Sequence, residues 1–375
     1  MKFVFDLTPI YDHLTGIERY NINITKEMIK AHPENKYVLL FKNEVHSSFK
    51  DEVEQSNVKY VIIPECNKLF FIQWRLFRTL KRIRADYYFF LSFTSPVLFR
   101  GKRIINAIHD LTCWDCPESI PTKMKYYYRF TYKIAVKRSW KIVTVSKFSQ
   151  RRICERYGLS KDKVPVIYDG LTDIFCEEPH NNPRLKEKYN LPNKYILSLS
   201  TIEPRKNIQL LIRVYKELVE EGTKLPELVL AGREGWKLED IVGEINESIK
   251  KHIHFTGFID DNDLAQIYRE AELFVFPSKY EGFGLPIIEA MSQGTLVVCS
   301  DAASLPEVAG GVGILFESDS CIRLKNAVIK WLKMPEKDRC VLSNKGKLIG
   351  QQYSWEREAA KLYNYLKCGR RCGEV

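Results

Sequence analysis

The chain has 375 residues, of which 45% are hydrophobic and 28% charged, with a formal net charge of +11. At roughly 100–200 residues per domain this length points to two domains, and the apolar share suits a globular chain that buries its core without metal or disulfide staples. Disordered, collagen-like and coiled-coil chains are excluded, and no run of about 18 apolar residues offers a transmembrane helix.

The N-terminal MKFVFDL is interrupted by Asp6 before it reaches the roughly 7–15 apolar residues of a secretory signal, so it reads as a first strand and the expected location is cytoplasmic. Apolar runs at 2–7, 37–41, 60–64, 86–92, 103–110 and 141–146 read as six strands. Runs at 195–200, 227–232, 252–257, 273–278 and 295–300 read as five more, with helical patterns at 208–222 and 261–272 among the stretches between them. This alternation calls for parallel sheets with crossover helices. The polar stretch 177–194 separates the two sets, so the expected architecture is α/β, with two doubly wound domains joined near residue 180. Ligands of such sheets bind at the carboxyl ends of the strands.

The charge is unevenly placed. Residues 1–180 hold 30 Lys and Arg against 20 Asp and Glu, residues 181–375 hold 28 against 27, and 71–152 alone hold 18 against 4. Two stretches concentrate it, FIQWRLFRTLKRIR (71–84) and KMKYYYRFTYKIAVKRSWK (123–141), both mixing aromatic with basic residues. Such a surface suits an anionic membrane interface. The same composition also binds nucleic acid, and two ordinary helices with a solvated basic face would carry it as well. Because both stretches fall in one half of the chain, the expectation is a peripheral membrane surface and no nucleic-acid partner.

The ten cysteines show no framework spacing, and Cys113 and Cys116 form a lone Cys-x-x-Cys, so reduced thiols are expected rather than zinc or redox work. No GxGxxG follows the first strand, and no GxxxxGK[ST], HExxH or GxSxG occurs.

Two segments carry chemistry. Arg205 and Lys206 follow the 195–200 strand just before a helix, where two cations and a helix N-terminus make an anion site suited to a diphosphate; a basic cap on a surface loop would look the same. LFVFPSKYEGFGLPIIEAMSQG (273–294) holds a strand, a Gly-rich turn headed by Glu281, and a helix carrying Glu289. Gly282 and Gly284 let backbone amides approach a ligand, and the carboxylates can accept sugar hydroxyls, serve as acid and base of a hydrolase, or cap a helix.

These segments resemble the family-4 retaining glycosyltransferases of GT-B fold, in which two Rossmann-like domains face a central cleft. The matching pieces are EPRKN (203–207), HFTGFIDDNDLAQIYREAELFVFPS (254–278), EGFGLPIIEAMSQG (281–294) and LPEVAGGVGILF (305–316), with weaker matches in TGIERY (15–20), AIHDL (107–111) and VTVSKFSQRRI (143–153). The resemblance implies an acceptor-binding domain over 1–180 and a nucleotide-sugar-binding domain over 181–350. A closing helix within 351–375, including YSWEREAAKLYNYL, would cross back onto the first domain. It further implies that Arg205 and Lys206 hold the donor diphosphate, Glu281 the hydroxyls of the transferred sugar, and Glu289 the ribose. Backbone amides of Gly282, Phe283, Gly284 and Leu285 would face phosphate and sugar. Gly16, in a loop after the first strand, would admit the donor phosphate, and His109, at the end of the 103–110 strand, would sit by the anomeric carbon.

The implied reaction retains configuration at the anomeric carbon through electrostatic stabilisation without a metal or other cofactor. Asp261-Asn262-Asp263 spells the Asp-x-Asp of metal-dependent transferases, but its place before a helical pattern reads as N-cap and first-turn acids. The expected donor is a nucleotide-sugar, GDP-mannose first and a UDP-hexose next, and the acceptor a lipid-linked or other oligosaccharide in surface-polysaccharide assembly. One departure is Asp169 in DGLTDIF, where family members commonly show Asn. A sugar-nucleotide epimerase of the same fold and a non-catalytic carbohydrate- or membrane-binding protein are the competing readings.

Overall fold

The apolar runs of the first half form β1 (Lys2–Asp6), β2 (Lys36–Lys42), β3 (Val58–Ile63), β4 (Tyr87–Phe90), β5 (Ile104–Ala107) and β6 (Lys141–Val143). They pair in parallel in the order β3-β2-β1-β4-β5-β6. The second half forms β7 (Tyr195–Leu199), β8 (Glu227–Ala231), β9 (Ile253–Gly257), β10 (Leu273–Phe276), β11 (Val297–Ser300) and β12 (Ile314–Phe316), paired in parallel in the order β12-β11-β10-β7-β8-β9. Connecting helices include α1 (Gly16–Ala31), α2 (Phe77–Arg82), α3 (Thr122–Arg138), α4 (Ile208–Glu220), α5 (Asp261–Glu270), α6 (Leu285–Ser292) and, last in the chain, α7 (Trp355–Arg371). This computed structural model describes residues 1–11, 14–50, 56–67, 70–176, 181–233 and 247–371. The chain divides into two units, residues 1–170 with 354–375, and residues 171–353.

Strands covered by helices on both faces are apolar throughout rather than alternating. Tyr87–Phe90, Leu273–Phe276 and Val297–Ser300 are each buried at every position. In the first sheet aromatic rings fill the layer: Phe5 stacks on Phe89 with centroids 4.4 Å apart, and Phe3 lies 5.5 Å from both Tyr37 and Tyr87. In the second, α4 buries Ile208, Leu211, Val214, Tyr215 and Leu218, which recur at helical spacing.

Three details depart from the sequence reading. β12, a three-residue edge strand behind Gly310, Gly311 and Gly313, is an addition to the eleven expected strands. Residues Phe71–Leu76 form a π-helical turn ahead of α2; the wider turn buries Phe71, Leu76 and Leu80 and leaves Trp74 exposed. At α5 the cap residue is Asp260, so Asp261 and Asp263 are both first-turn acids. Burial opposes ionisation of Asp263, but Lys188 (2.7 Å), Asn182 (3.0 Å) and Tyr189 (2.8 Å) hold its carboxyl below the usual range.

Cys66, Cys113, Cys116, Cys154, Cys176, Cys299, Cys321 and Cys340 are free thiols, and burial pushes that of Cys113 up to about 12. Among the described residues no helix is long and apolar enough to cross a membrane.

Within the first unit α7 packs on α1. Tyr363 stacks on His32 at 3.4 Å, accepts a hydrogen bond from Asn35 (3.2 Å) and donates to Glu34 (3.1 Å), and Tyr87 donates to the Leu366 carbonyl (3.0 Å). Leu362 is buried in this helix. Leu362→Ala is expected to lower the stability of the first unit by about 2–5 kcal/mol, read as a shift of its urea midpoint; an unchanged midpoint would contradict the packing.

Candidate active site

The order of the second sheet decides which loops can meet. Successive crossovers run one way from β7 through β8 to β9 and the other way from β10 through β11 to β12, so β7 and β10 are the neighbours at which the order reverses. Loops leaving adjacent strands at such a reversal diverge and open a crevice at their carboxyl ends. The residues that follow β7 include Arg205 and Lys206, and those that follow β10 include Glu281. Segments 74 residues apart in sequence are thereby joined: the Lys279 amide donates to the Arg205 carbonyl at 2.9 Å.

After β7 the chain makes a 3₁₀ turn at Pro204–Lys206 and enters α4 through Asn207, whose left-handed backbone (φ 57°) accompanies a side-chain bond to Asp319 at 3.0 Å. Arg205 Nη1 donates to Glu281 Oε2 (2.9 Å) and to the Tyr280 carbonyl (2.7 Å). Its Nε and Nη2 donate to Glu203 Oε1 at 3.2 and 2.8 Å. Lys206 Nζ donates to Glu281 Oε1 at 2.6 Å, and the same oxygen accepts from the Ser278 hydroxyl at 2.6 Å. Two cations and two carboxylates therefore interlock, with Glu281 buried at their centre.

Burial alone would raise the Glu281 carboxyl, but the Arg205 guanidinium and the Lys206 ammonium together hold it down at about 2. Burial pulls the Lys206 ammonium below its usual range, and the Glu281 charge opposes this by less. The carboxylate thus keeps two largely enclosed cations in a fixed arrangement.

The turn beyond Glu281 is equally constrained. Gly284 sits at φ 108°, a left-handed conformation that favours glycine, and a Cβ there would come within 2.7 Å of Leu305 Cδ2. The Ser304 hydroxyl lies 2.9 Å from the Glu281 carbonyl and 2.7 Å from that of Phe283, which ties the turn down. Phe283 packs edge-on against Tyr353, with centroids 5.4 Å apart. Leu285 and Pro286 open α6, whose first turn presents backbone amides and the positive end of its dipole. One helical turn on, Glu289 is buried and accepts the Tyr268 hydroxyl at 2.9 Å.

Arg205, Lys206, Glu281, the turn 282–285 and Glu289 are all in the second unit, at and beyond the ends of β7 and β10. Gly16 and His109 belong to the first unit. Gly16 is the first residue of α1 rather than part of the loop before it, behind a Thr15–Glu18 capping box, and a Cβ at Gly16 would meet nothing within 4 Å. His109 lies two residues past the end of β5, with Nε2 2.7 Å from the Leu91 carbonyl and its ring edge-on to Tyr20 at 5.1 Å. Burial lowers its pKa, which favours a neutral ring with a proton on Nε2 and Nδ1 as acceptor.

Sequence reasoning missed Glu203, Ser278, Ser304 and Tyr268. Glu203 had a signal, since an acid two residues before Arg205 in an extended segment can reach its guanidinium. Ser278, three residues before Glu281, bonds it within one loop, whereas Ser304 and Tyr268 hold site residues across about 20 residues, which no local pattern announces.

The Glu281 carboxyl titrates at about 2 in the fold against an ordinary value of 4.5. Its stabilisation is therefore complete above pH 4.5 and is lost as the pH falls toward 2. Glu281→Gln is expected to cost about 2–4 kcal/mol at neutral pH, because it removes the buried carboxylate that two largely enclosed cations share. Urea denaturation should also show the variant losing less stability than wild type between pH 4.5 and 2; parallel pH profiles would contradict the ion-pair assignment.

Comparison with known proteins bears on the family. The model of glycosyl transferases group 1 matches residues 181–348, and that of glycosyltransferase family 4 matches residues 14–173. O-antigen chain mannosyltransferase B of Escherichia coli is 29% identical over 386 aligned positions, covering 98% of this chain and all of that protein. Serotype-specific mannosyltransferase WbdA of Escherichia coli is 38% identical over 182 residues, 47% of this chain and 22% of WbdA. The crystal structure of HepE from Anabaena, in complex with UDP and glucose, superposes with a TM-score of 0.73 over 98% of this chain and all of that one; at 18% identity this is a likeness of fold. Two matched models that together run from residue 14 to residue 348, on two doubly wound six-stranded sheets, make this chain a family-4 glycosyltransferase of GT-B fold.

Proposed function

We propose that the chain is a retaining, metal-independent mannosyltransferase of surface-polysaccharide biosynthesis. It takes a hexose from a nucleotide-sugar, GDP-mannose first and a UDP-hexose next, and passes it to a lipid-linked or other oligosaccharide acceptor. It works in the cytoplasm, peripherally at the inner face of the cytoplasmic membrane. The mannosyl donor and the polysaccharide setting are supported by the names of the Escherichia coli relatives, one of which aligns along nearly the whole chain.

The observation that carries the chemistry is the Arg205–Lys206–Glu281 cluster at the strand reversal. Cleaving a nucleotide-sugar leaves a diphosphate whose charge grows as the anomeric bond breaks. Cations held in place beforehand stabilise that charge without reorganising, and desolvation makes each worth more than in water. Arg205 and Lys206 fill this role, with the amides of 282–285 and the α6 terminus beside them. Glu281 serves twice, as the anchor of both cations and as acceptor for hydroxyls of the transferred sugar. Glu289, oriented by Tyr268, accepts the ribose hydroxyls. Gly16, whose Cβ position is open, and the neutral His109 ring belong to the first unit, and family resemblance assigns them to the donor phosphate and the anomeric carbon.

Lys206→Ala is expected to lower kcat by about 10²–10³ with the far-UV spectrum unchanged. Near-normal turnover in that variant would overturn the diphosphate assignment. A donor at 100 times its Kd adds about 2.7 kcal/mol of stability, so one nucleotide-sugar of a GDP, UDP, ADP and dTDP panel should raise the thermal midpoint. The shift should be equal in EDTA and in magnesium, and a shift that needs magnesium would contradict metal independence. Proton NMR of the product should show an α linkage formed from an α-linked donor, and a β linkage would contradict retention.

A further inference from the structure

We propose that the first unit carries a docking face for an anionic lipid surface, built from α3, the π-turn with α2, and the loop at Leu98. The exposed residues of α3 include Lys123, Tyr126, Phe130, Lys133 and Lys137, which recur every three or four positions and so form one stripe. Its two aromatics are 61% and 57% exposed. On the second segment Phe70 and Trp74 are 50% and 44% exposed, and Arg78, Lys81, Arg82 and Arg84 are exposed with them. Neither 71–84 nor 123–141 contains a single Asp or Glu.

Gln73 joins these segments, which are remote in sequence. Its Oε1 accepts the Val97 amide at 2.9 Å, and its side chain is hydrogen-bonded to Tyr127, beside Tyr126 on α3. Val97 is followed by Leu98, 63% exposed. Three segments thus bring half-exposed rings, one aliphatic side chain and a set of cations into a single neighbourhood. This is the composition of an interfacial surface, with Lys and Arg at the level of lipid phosphates and aromatic rings at the headgroup boundary.

A nucleic acid fits less well. Leu98 has no face on which a base can stack, and the Arg78 guanidinium already lies 4.2 Å from the centroid of the Trp74 ring. The face itself rests on exposure and charge; its purpose, bringing the enzyme to a lipid-linked acceptor, rests on the function proposed above.

Sedimentation of the full chain with vesicles tests it, using phosphatidylcholine mixed with phosphatidylglycerol and phosphatidylcholine alone. Wild type should pellet with the anionic vesicles only and be released as ionic strength rises. R78E/K81E/R82E and W74A/F130A, which change exposed side chains outside the donor site, should each reduce partitioning by at least about tenfold. Both should transfer sugar to a water-soluble oligosaccharide at the wild-type rate. Wild type staying in the supernatant, variants pelleting like wild type, or single-stranded DNA displacing the vesicles would each overturn the docking face. If vesicle binding fails while soluble-acceptor transfer persists, the docking face alone is wrong; if transfer fails while wild type pellets, the functional reading is wrong and the face stands.

Discussion

A buried carboxylate shared by two cations organises the end of the second sheet where its strand order reverses. Glu281 is enclosed between the loops that follow β7 and β10, with Lys206 at 2.6 Å and Arg205 at 2.9 Å. Both cations are largely enclosed, with the Arg205 and Lys206 side chains 19% and 13% exposed. An unpaired ion in a protein interior carries a desolvation penalty of several kcal/mol, which the shared carboxylate offsets. Glu203 holds the far side of the Arg205 guanidinium, Ser278 holds Glu281, and Ser304 holds the turn behind it. Each tether removes a degree of freedom from a charge that, in a glycosyltransferase, must be in place before a diphosphate departs. The arrangement also follows from topology, because only adjacent strands at a reversal of order send their loops to opposite sides of one crevice.

How much of this could be read from the chain depended on whether the governing contact was local. Parallel strands covered on both faces are apolar at almost every position, so eleven of them stood out as runs. Ile314–Phe316 did not, because three residues after a glycine-rich loop give no pattern and pair only through β11. The turn 281–285 was legible through its glycines, and Gly284 shows why: its left-handed backbone and the nearby Leu305 leave no room for a side chain. Arg205 and Lys206 were legible as cations at a strand end. Their union with Glu281 was suggested by family resemblance and not by spacing, since a fold must bring those segments together. Ser304 and Tyr268 left no trace, as each acts on a partner about 20 residues away.

The first unit shows the same division. Composition located the excess charge between residues 71 and 152, but on a regular helix Trp74, three residues on, would share a face with Phe71, which the fold buries. The π-turn moves the burial to Leu76 and turns Trp74 outward, where it meets Arg78. A one-residue change of helical phase thus separates a ring that stabilises the core from one that is available to a surface. The link through Gln73 between the two basic aromatic stretches is tertiary, and periodicity had no means of finding it.

The most direct test of the cation cluster is calorimetric, comparing the affinity of a nucleoside diphosphate with that of the bare nucleoside in wild type and in Lys206→Met. Methionine keeps the buried chain and removes its charge, while Arg205 remains to pair with Glu281. If the cluster holds the donor diphosphate, wild type should prefer the diphosphate strongly, and the variant should lose at least about tenfold of that preference, equivalent to about 1.4 kcal/mol, with nucleoside affinity unchanged. A preference of equal size in both proteins would show that the phosphates bind elsewhere.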